Sequence, residues 1–423
     1  MPLNVAFYSD ALTSSGYGLG RYARGLFNAL GPFAPDIQTR PVSAHRAGVN
    51  REDSATILRD HRYVRLPFPR RMTAGLWSSI GWPRLERWTP WADVVHCVEL
   101  DYRIPTRQPL VVTIHDIGPL THPAFFRNSH PWLLKIALKS AVERAAAIIC
   151  VSSATAEAVE TFMKCRLGDR LTVVSEGVGE EFFEWGDQTN GYTRHPGPLP
   201  DYAPYFLCAG SLNPRKNLSR VIDAFEQVAR EIPHHLVLAG SLGWDSEKTL
   251  ARIHNSAWTS RIHLPGHVCD EELRRLYRGA TAFLYVSLLE GFGLPILEAM
   301  ASGCPVITSN LSSMPEVAGD AAFLVNPLDT NEIADAMACL ATDATFSELL
   351  RNKGRARSED FHWAACAASV AEIYRRVANG PRGKRQRCQT SNGSHPEWER
   401  LHASSERKTK ELFTQNRLAR TAA

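Results

Sequence analysis

Two glutamates eight positions apart bracket the stretch Glu290-Gly-Phe-Gly-Leu-Pro-Ile-Leu-Glu298, and the residues between them define the chemistry the pair can serve. Pro295 suits the first helical position, where its missing N–H would have no intrahelical partner. A helix therefore starts here, with Glu290 on the loop before it and Glu298 in its first turns. The N–H groups of Gly293 and Leu294 at that start form an anion site reinforced by the helix dipole, and Gly293 has no side chain to hold a phosphate away from the backbone. Carboxylates so near a phosphate repel it unless they point elsewhere. They are suited instead to accept hydrogen bonds from sugar hydroxyls on either side of a diphosphate, with Gly291 and Phe292 in the same donor-facing turn. Taken alone, Glu298 reads equally well as an exposed residue favoured near a helix N-terminus.

A second loop, Ala209-Gly-Ser-Leu-Asn-Pro-Arg-Lys-Asn-Leu218, places adjacent Arg215 and Lys216 just before a helix, after Gly210 and Ser211. Such a pair can neutralise a leaving diphosphate, and no His or Cys spacing supplies a metal to do so. His115 follows an apolar run at an abrupt change to polar residues, His115-Asp-Ile-Gly-Pro-Leu-Thr-His-Pro123, with His122 as the alternative. Near the start, Ser14-Ser-Gly-Tyr-Gly-Leu-Gly-Arg-Tyr22 is a glycine-rich turn in which Gly16 and Gly18 are the candidates for close backbone approach.

The elements that must position these residues alternate between short apolar runs and helical patterns, the signature of βαβ units and parallel sheets. Strands are expected at Leu3–Tyr8, Val94–Cys97, Leu110–Ile114, 147–151 and 171–174, then at Tyr205–Ala209, His235–Ala239, 262–264, 282–286 and 305–308, with helices such as 217–230 and 271–278 between them. The chain of 423 residues is too long for one ordinary core. It divides into a first Rossmann-like domain over 1–185, a Gly/Pro-rich linker over 186–204, a second Rossmann-like domain over 205–360, a closing helix over 361–379 and a tail over 380–423. In such sheets ligands bind beyond the carboxyl ends of the strands, where the motifs above lie.

Composition limits the alternatives. With 44% hydrophobic and 22% charged residues the chain reads as globular, without an apolar run long enough to span a bilayer and with an N-terminus that reads as a strand rather than a leader, so a cytoplasmic location is expected. The nine cysteines read as reduced, mostly buried thiols and speak against a disulfide framework. From residue 381 onward ten Lys/Arg face four Asp/Glu, so the tail carries +6 of a net +4 and the remainder is −2. This basic tail reads as a disordered, solvated extension, and no nucleic-acid partner is expected.

The segment running from Glu290 through Glu298 to Gly303 resembles the Glu-x7-Glu motif of retaining glycosyltransferases with the GT-B fold, within glycosyltransferase family 4. The resemblance implies an α/β, GT-B architecture: two Rossmann-like domains facing across a cleft, with the C-terminal helix crossing back to the first. It also implies that Glu290 contacts the transferred sugar, Glu298 the ribose, His115 the reaction centre, and the Gly16 loop the donor phosphate and acceptor. Where the family commonly has Arg directly after the glycine, this chain has Ser211; Lys216 keeps the Lys position, and Arg215 is taken to supply the second charge. Ser152, Ser153 and the stretch from Ser312 to Ala322 extend the resemblance as architecture.

The implied activity is retaining, metal-independent transfer of a hexose from a nucleotide-diphosphate sugar, with no cofactor. Similarity to bacterial polysaccharide mannosyltransferases across 209–218 and 290–303 points to GDP-mannose as donor and a saccharide or lipid-linked saccharide as acceptor. A noncatalytic nucleotide-sugar-binding protein and a sugar-nucleotide epimerase are the alternatives. Glycoside hydrolysis also uses paired carboxylates, but has no need of Arg215 and Lys216 beside a phosphate site. Arg70, Arg71, Trp77, Trp82, Trp88 and Trp91, with Trp132, Lys135 and Lys139, either pack into the first domain or form a basic aromatic face for an anionic membrane.

Overall fold

A computed structural model describes residues 2–13, 18–44, 63–126, 130–183, 204–380 and 389–390. The first domain contains β1 (Leu3–Tyr8), β2 (Ile37–Ser43), β3 (Val64–Arg65), β4 (Val94–Cys97), β5 (Leu110–Ile114), β6 (Ala147–Cys150), β7 (Cys165–Arg166) and β8 (Leu171–Val173). Seven of these form a parallel sheet in the order β3-β2-β1-β4-β5-β6-β8. The second domain contains β9 (Tyr205–Ala209), β10 (His235–Ala239), β11 (Ile262–Gly266), β12 (Ala282–Tyr285), β13 (Val306–Ser309) and β14 (Phe323–Val325). Their parallel order is β11-β10-β9-β12-β13-β14. Each sheet reverses direction once, at β1/β4 and at β9/β12, and these are the two topological switch points.

Helices on both faces explain the strand sequences. Ala-Ile-Ile-Cys in β6 and Ala-Phe-Leu-Tyr in β12 are buried throughout, as parallel strands covered on both sides require. The covering helices are amphipathic: Leu218–Val228 buries Leu218, Val221, Ile222 and Phe225, one stripe at helical spacing.

The Trp363–Asn379 helix returns to the first domain. It packs against the Leu19–Phe33 helix, its Arg375 pairs with Asp36, and the Tyr374 hydroxyl lies 2.6 Å from His96 Nδ1 on β4. His96 is fully buried, which pushes its pKa down to about 3, and its other nitrogen lies 2.8 Å from Thr113 Oγ1. One apolar cluster consequently runs from Val5 and Tyr22 through Tyr374 to Phe283 and Met300, joining both domains.

The structure departs from the sequence expectation at several places. β2, β3 and β14 were not anticipated. Gln389–Thr390, assigned to the disordered tail, pairs as β15 antiparallel to β7, and the rest of the tail lies outside the described residues. Cys165 is disulfide-bonded, which corrects the reading of wholly reduced thiols, while Cys97, Cys150, Cys208, Cys304 and Cys366 are free and buried. Among the described residues no helix is long and apolar enough to cross a membrane.

Candidate functional site

At the β9/β12 switch point the two motif loops meet. β9 ends at Ala209, and Gly210 turns the chain with φ 124°, a conformation that favours glycine, while leaving room for the Lys216 stem beside it. A short turn over Pro214–Lys216 then delivers Arg215 and Lys216 to the loop that follows β12. Lys216 Nζ donates to Glu290 Oε1 at 2.8 Å and to the Tyr285 hydroxyl at 2.8 Å, and Arg215 pairs with Glu290 Oε2 while donating to the Leu289 carbonyl at 2.8 Å. Ser211, beside them, is exposed.

Burial alone would raise the Glu290 pKa, but Arg215 and Lys216 outweigh it and hold the carboxyl at about 2. Lys216 shows the opposite balance: burial outweighs Glu290 and lowers its pKa to about 8. The pair therefore stays charged at neutral pH, with Lys216 close to the point of losing its proton.

The loop from Glu290 to Gly293 is fastened from both domains. Ser312 and Ser313 hydroxyls donate to the Glu290 carbonyl, and Ser313 donates to the Phe292 carbonyl at 2.6 Å. From the first domain, the Ser152 hydroxyl donates to the Gly291 carbonyl at 2.6 Å while capping the Ser153–Met163 helix, and Thr155 Oγ1 lies 3.0 Å from the same carbonyl. Ser153 donates to the Glu316 carboxylate, again across the domains. A Cβ on Gly291 would lie 1.9 Å from the His115 carbonyl oxygen, so only glycine lets the two loops touch.

His115 sits at the carboxyl end of β5. Its Nδ1 faces the Glu176 carboxylate at 3.2 Å and its Nε2 faces the Val98 carbonyl at 3.1 Å, so only the imidazolium donates to both. Burial disfavours that charge, but Glu176 and the Val98 carbonyl prevail and raise the pKa above the usual histidine value. The ring meets Tyr22 edge-on at 4.5 Å.

Gly293, with φ 119°, opens the Leu294–Ala301 helix, and Pro295 occupies its first turn. Among the described residues the Gly293 and Leu294 N–H groups have no hydrogen-bond partner, as an anion site requires. The Phe292 ring is buried against Phe361, and its backbone belongs to the loop.

Glu298 is separate from Glu290 and almost fully buried. It pairs with Arg21, from the first turn of the Leu19–Phe33 helix in the first domain, and accepts a hydrogen bond from the Tyr277 hydroxyl at 3.3 Å. Burial raises its pKa, against the pull of Arg21. Arg21 also pairs with Asp270 at 2.5 Å, which makes it a cross-domain clasp. Arg21 lies in the glycine-rich segment in which the sequence singles out only Gly16 and Gly18. Gly18 is exposed at the helix start, with nothing within 4 Å of where a Cβ would stand, and Gly16 lies outside the described residues. Among the described residues no group of three or more His, Cys, Asp or Glu is placed to hold a metal ion.

Residues 18–182 match the model described as Glycosyltransferase Family 4 and residues 203–343 that described as Glycosyl transferases group 1. The chain is 29% identical over 287 residues to O-antigen chain mannosyltransferase B of Escherichia coli, covering 65% of this chain and 72% of that protein. It is 31% identical over 294 residues to the serotype-specific mannosyltransferase WbdA of Escherichia coli, covering 68% of this chain but 34% of that longer protein. In fold it is similar to sucrose-phosphate synthase from Thermosynechococcus elongatus, with a TM-score of 0.69 at 19% identity, covering 89% of this chain and 99% of that one.

Because Glu290 supports the charge on Lys216, its replacement has a defined electrostatic consequence. Glu290→Gln lowers the Lys216 pKa from about 8 by roughly one to three further pH units. Side-chain NMR titration of labelled lysine reads this directly, and an unchanged Lys216 titration contradicts the assigned balance.

Proposed function

This chain is a family 4 glycosyltransferase of the GT-B fold, and from that premise we propose that it transfers mannose from GDP-mannose, with retention of configuration, to a saccharide or lipid-linked saccharide. The mannosyltransferase names of its relatives support the sugar. The observation that carries the reading is the cleft cluster: Arg215 and Lys216 closed on Glu290, next to the unpartnered N–H groups of Gly293 and Leu294.

On donor binding the diphosphate takes the two cations and the helix N-terminus, and Glu290 turns its carboxylate to the transferred sugar. Glu298 accepts from the ribose once Arg21 vacates one of the carboxylate's lone pairs. The C–O bond to phosphate breaks, the leaving oxygen gains charge, and Lys216 and Arg215 stabilise it. That oxygen takes the proton of the acceptor hydroxyl attacking from the same face. His115, held as a donor, lies on the opposite wall. No metal is required, because the two cations and the backbone N–H groups carry the leaving charge.

A second proposal concerns location. Trp77 is buried, but Met72, Ile80, Trp82, Trp132 and Ile136 are exposed on and beside two touching helices, Arg70–Ser79 and Pro131–Arg144. Arg71, Lys135 and Lys139 are exposed among them, which suits an anionic bilayer surface.

Two outcomes are expected. Lys216→Ala lowers transfer by about two orders of magnitude in protein that stays folded by circular dichroism, with wild-type activity persisting in EDTA; full activity of the variant, or loss in EDTA restored by Mg2+, contradicts the clamp. In sedimentation with phosphatidylglycerol vesicles at low salt the protein pellets, and Trp82→Ser with Trp132→Ser keeps it in the supernatant. Failure of the unaltered protein to pellet removes the membrane proposal.

A further inference from the structure

Glu176 is a buried acid to which the transfer chemistry above gives no part. It follows β8, is 6% exposed, and sets its Oε1 3.2 Å from His115 Nδ1, while the Val98 carbonyl faces the other ring nitrogen at 3.1 Å. A neutral imidazole has one N–H and one lone pair, so in either tautomer one of these acceptors would face a lone pair. Two acceptors across one ring therefore call for a proton on each nitrogen, and the charge of Glu176 favours the second proton against burial. Glu99 and the adjoining Asp116 act in the same direction. His96, the nearby base, is held neutral by its own burial, and Tyr22 meets the ring edge-on.

The seat of Glu176 is built from the far end of the chain. Phe361–Trp363, where the chain crosses back to the first domain, lies against residues 176–178: the Val178 N–H donates to the Phe361 carbonyl at 2.8 Å, and Val178 forms a parallel bridge with His362. A Cβ on Gly177 would stand 2.4 Å from the Trp363 backbone nitrogen, and one on Gly25 2.2 Å from its indole, so two glycines admit this crossing. The indole meets Tyr22 at 5.9 Å, and Phe361 packs on Phe292 in the loop that carries Glu290. On its other side the His115 carbonyl accepts from Thr155 Oγ1 at 3.1 Å and touches Gly291, where no Cβ fits. His115 thus stands between the crossing segment and the Glu290 loop.

We propose that Glu176 is a positioning residue for the transfer reaction: it locks the His115 ring against the Val98 carbonyl, which fixes the His115 carbonyl on Gly291 and so sets Glu290 in place. It acts through His115, and the role rests on the glycosyl-transfer reading above. In Glu176→Gln the amide oxygen still accepts from Nδ1 but carries no charge. The ring then sheds a proton, Nε2 turns a lone pair on the Val98 carbonyl, and the repulsion loosens the contact between His115 and Gly291.

NMR titration of the full chain with isotope-labelled histidine tests it, the His115 signal being the one lost in His115→Asn. GDP release from GDP-mannose, with methyl α-mannoside as acceptor, gives kcat and KM, and the thermal shift caused by GDP serves as a separate check on fold and donor binding. Glu176→Gln is expected to lower the His115 midpoint by about one pH unit or more and kcat about tenfold, with donor KM within about twofold and the GDP shift unchanged. A midpoint that stays put, or one that moves while kcat does not, overturns the role. So does a GDP shift lost in step with kcat, which makes Glu176 part of the donor fold. No GDP release by the unaltered protein refutes the transfer reading and the role with it, while the midpoint comparison still decides the ion pair.

Discussion

Glu290 is a carboxylate buried between two cations, and much of the cleft follows from the need to keep that charge paired. Leaving Glu290 alone would cost several kcal/mol, and so would leaving Lys216 alone. Both loops are therefore fixed by the ion pairs as well as by their backbones. Four hydroxyl side chains then fasten the loop carrying Glu290: Ser312 and Ser313 from its own domain, Ser152 and Thr155 from the other. The result is a site whose charges satisfy one another.

The two sheets repeat one design. Each reverses at a switch point, and each switch point gathers charge, but of different kinds. At β9/β12 Arg215 and Lys216 close on Glu290; at β1/β4 Glu99 accepts from the Asp10 N–H and Arg70 pairs with Asp10 and Asp101. His115 and Gly291 make the contact between the two loops, and Arg21 fastens the domains beside it through Glu298.

Much of this was legible in the sequence, for a physical reason. Strands covered on both faces are continuous apolar runs, so β1, β4, β5, β9, β10 and β12 announced themselves. β2 did not, because Gln38, Arg40 and Pro41 interrupt its pattern although Pro41 pairs with Phe7 within the sheet. The Glu290, Arg215 and Lys216 cluster was anticipated as parts; that the cations close on Glu290 was not. Arg21 could not be assigned, since its partner Glu298 lies 277 residues away and only the fold brings them together. Glu99 and Asp101 carry no local signal, and only the strand order reveals that they stand beside Asp10.

The central claim is that a donor diphosphate takes Lys216 from Glu290. Burial lowers the Lys216 pKa to about 8, so part of it is neutral at pH 8, and a diphosphate beside it would restore the proton. Isothermal titration of GDP-mannose at pH 8 in buffers of different ionisation enthalpy measures that proton. Net proton uptake on donor binding is expected at pH 8, abolished in Lys216→Met. Heats that do not vary with buffer would contradict it.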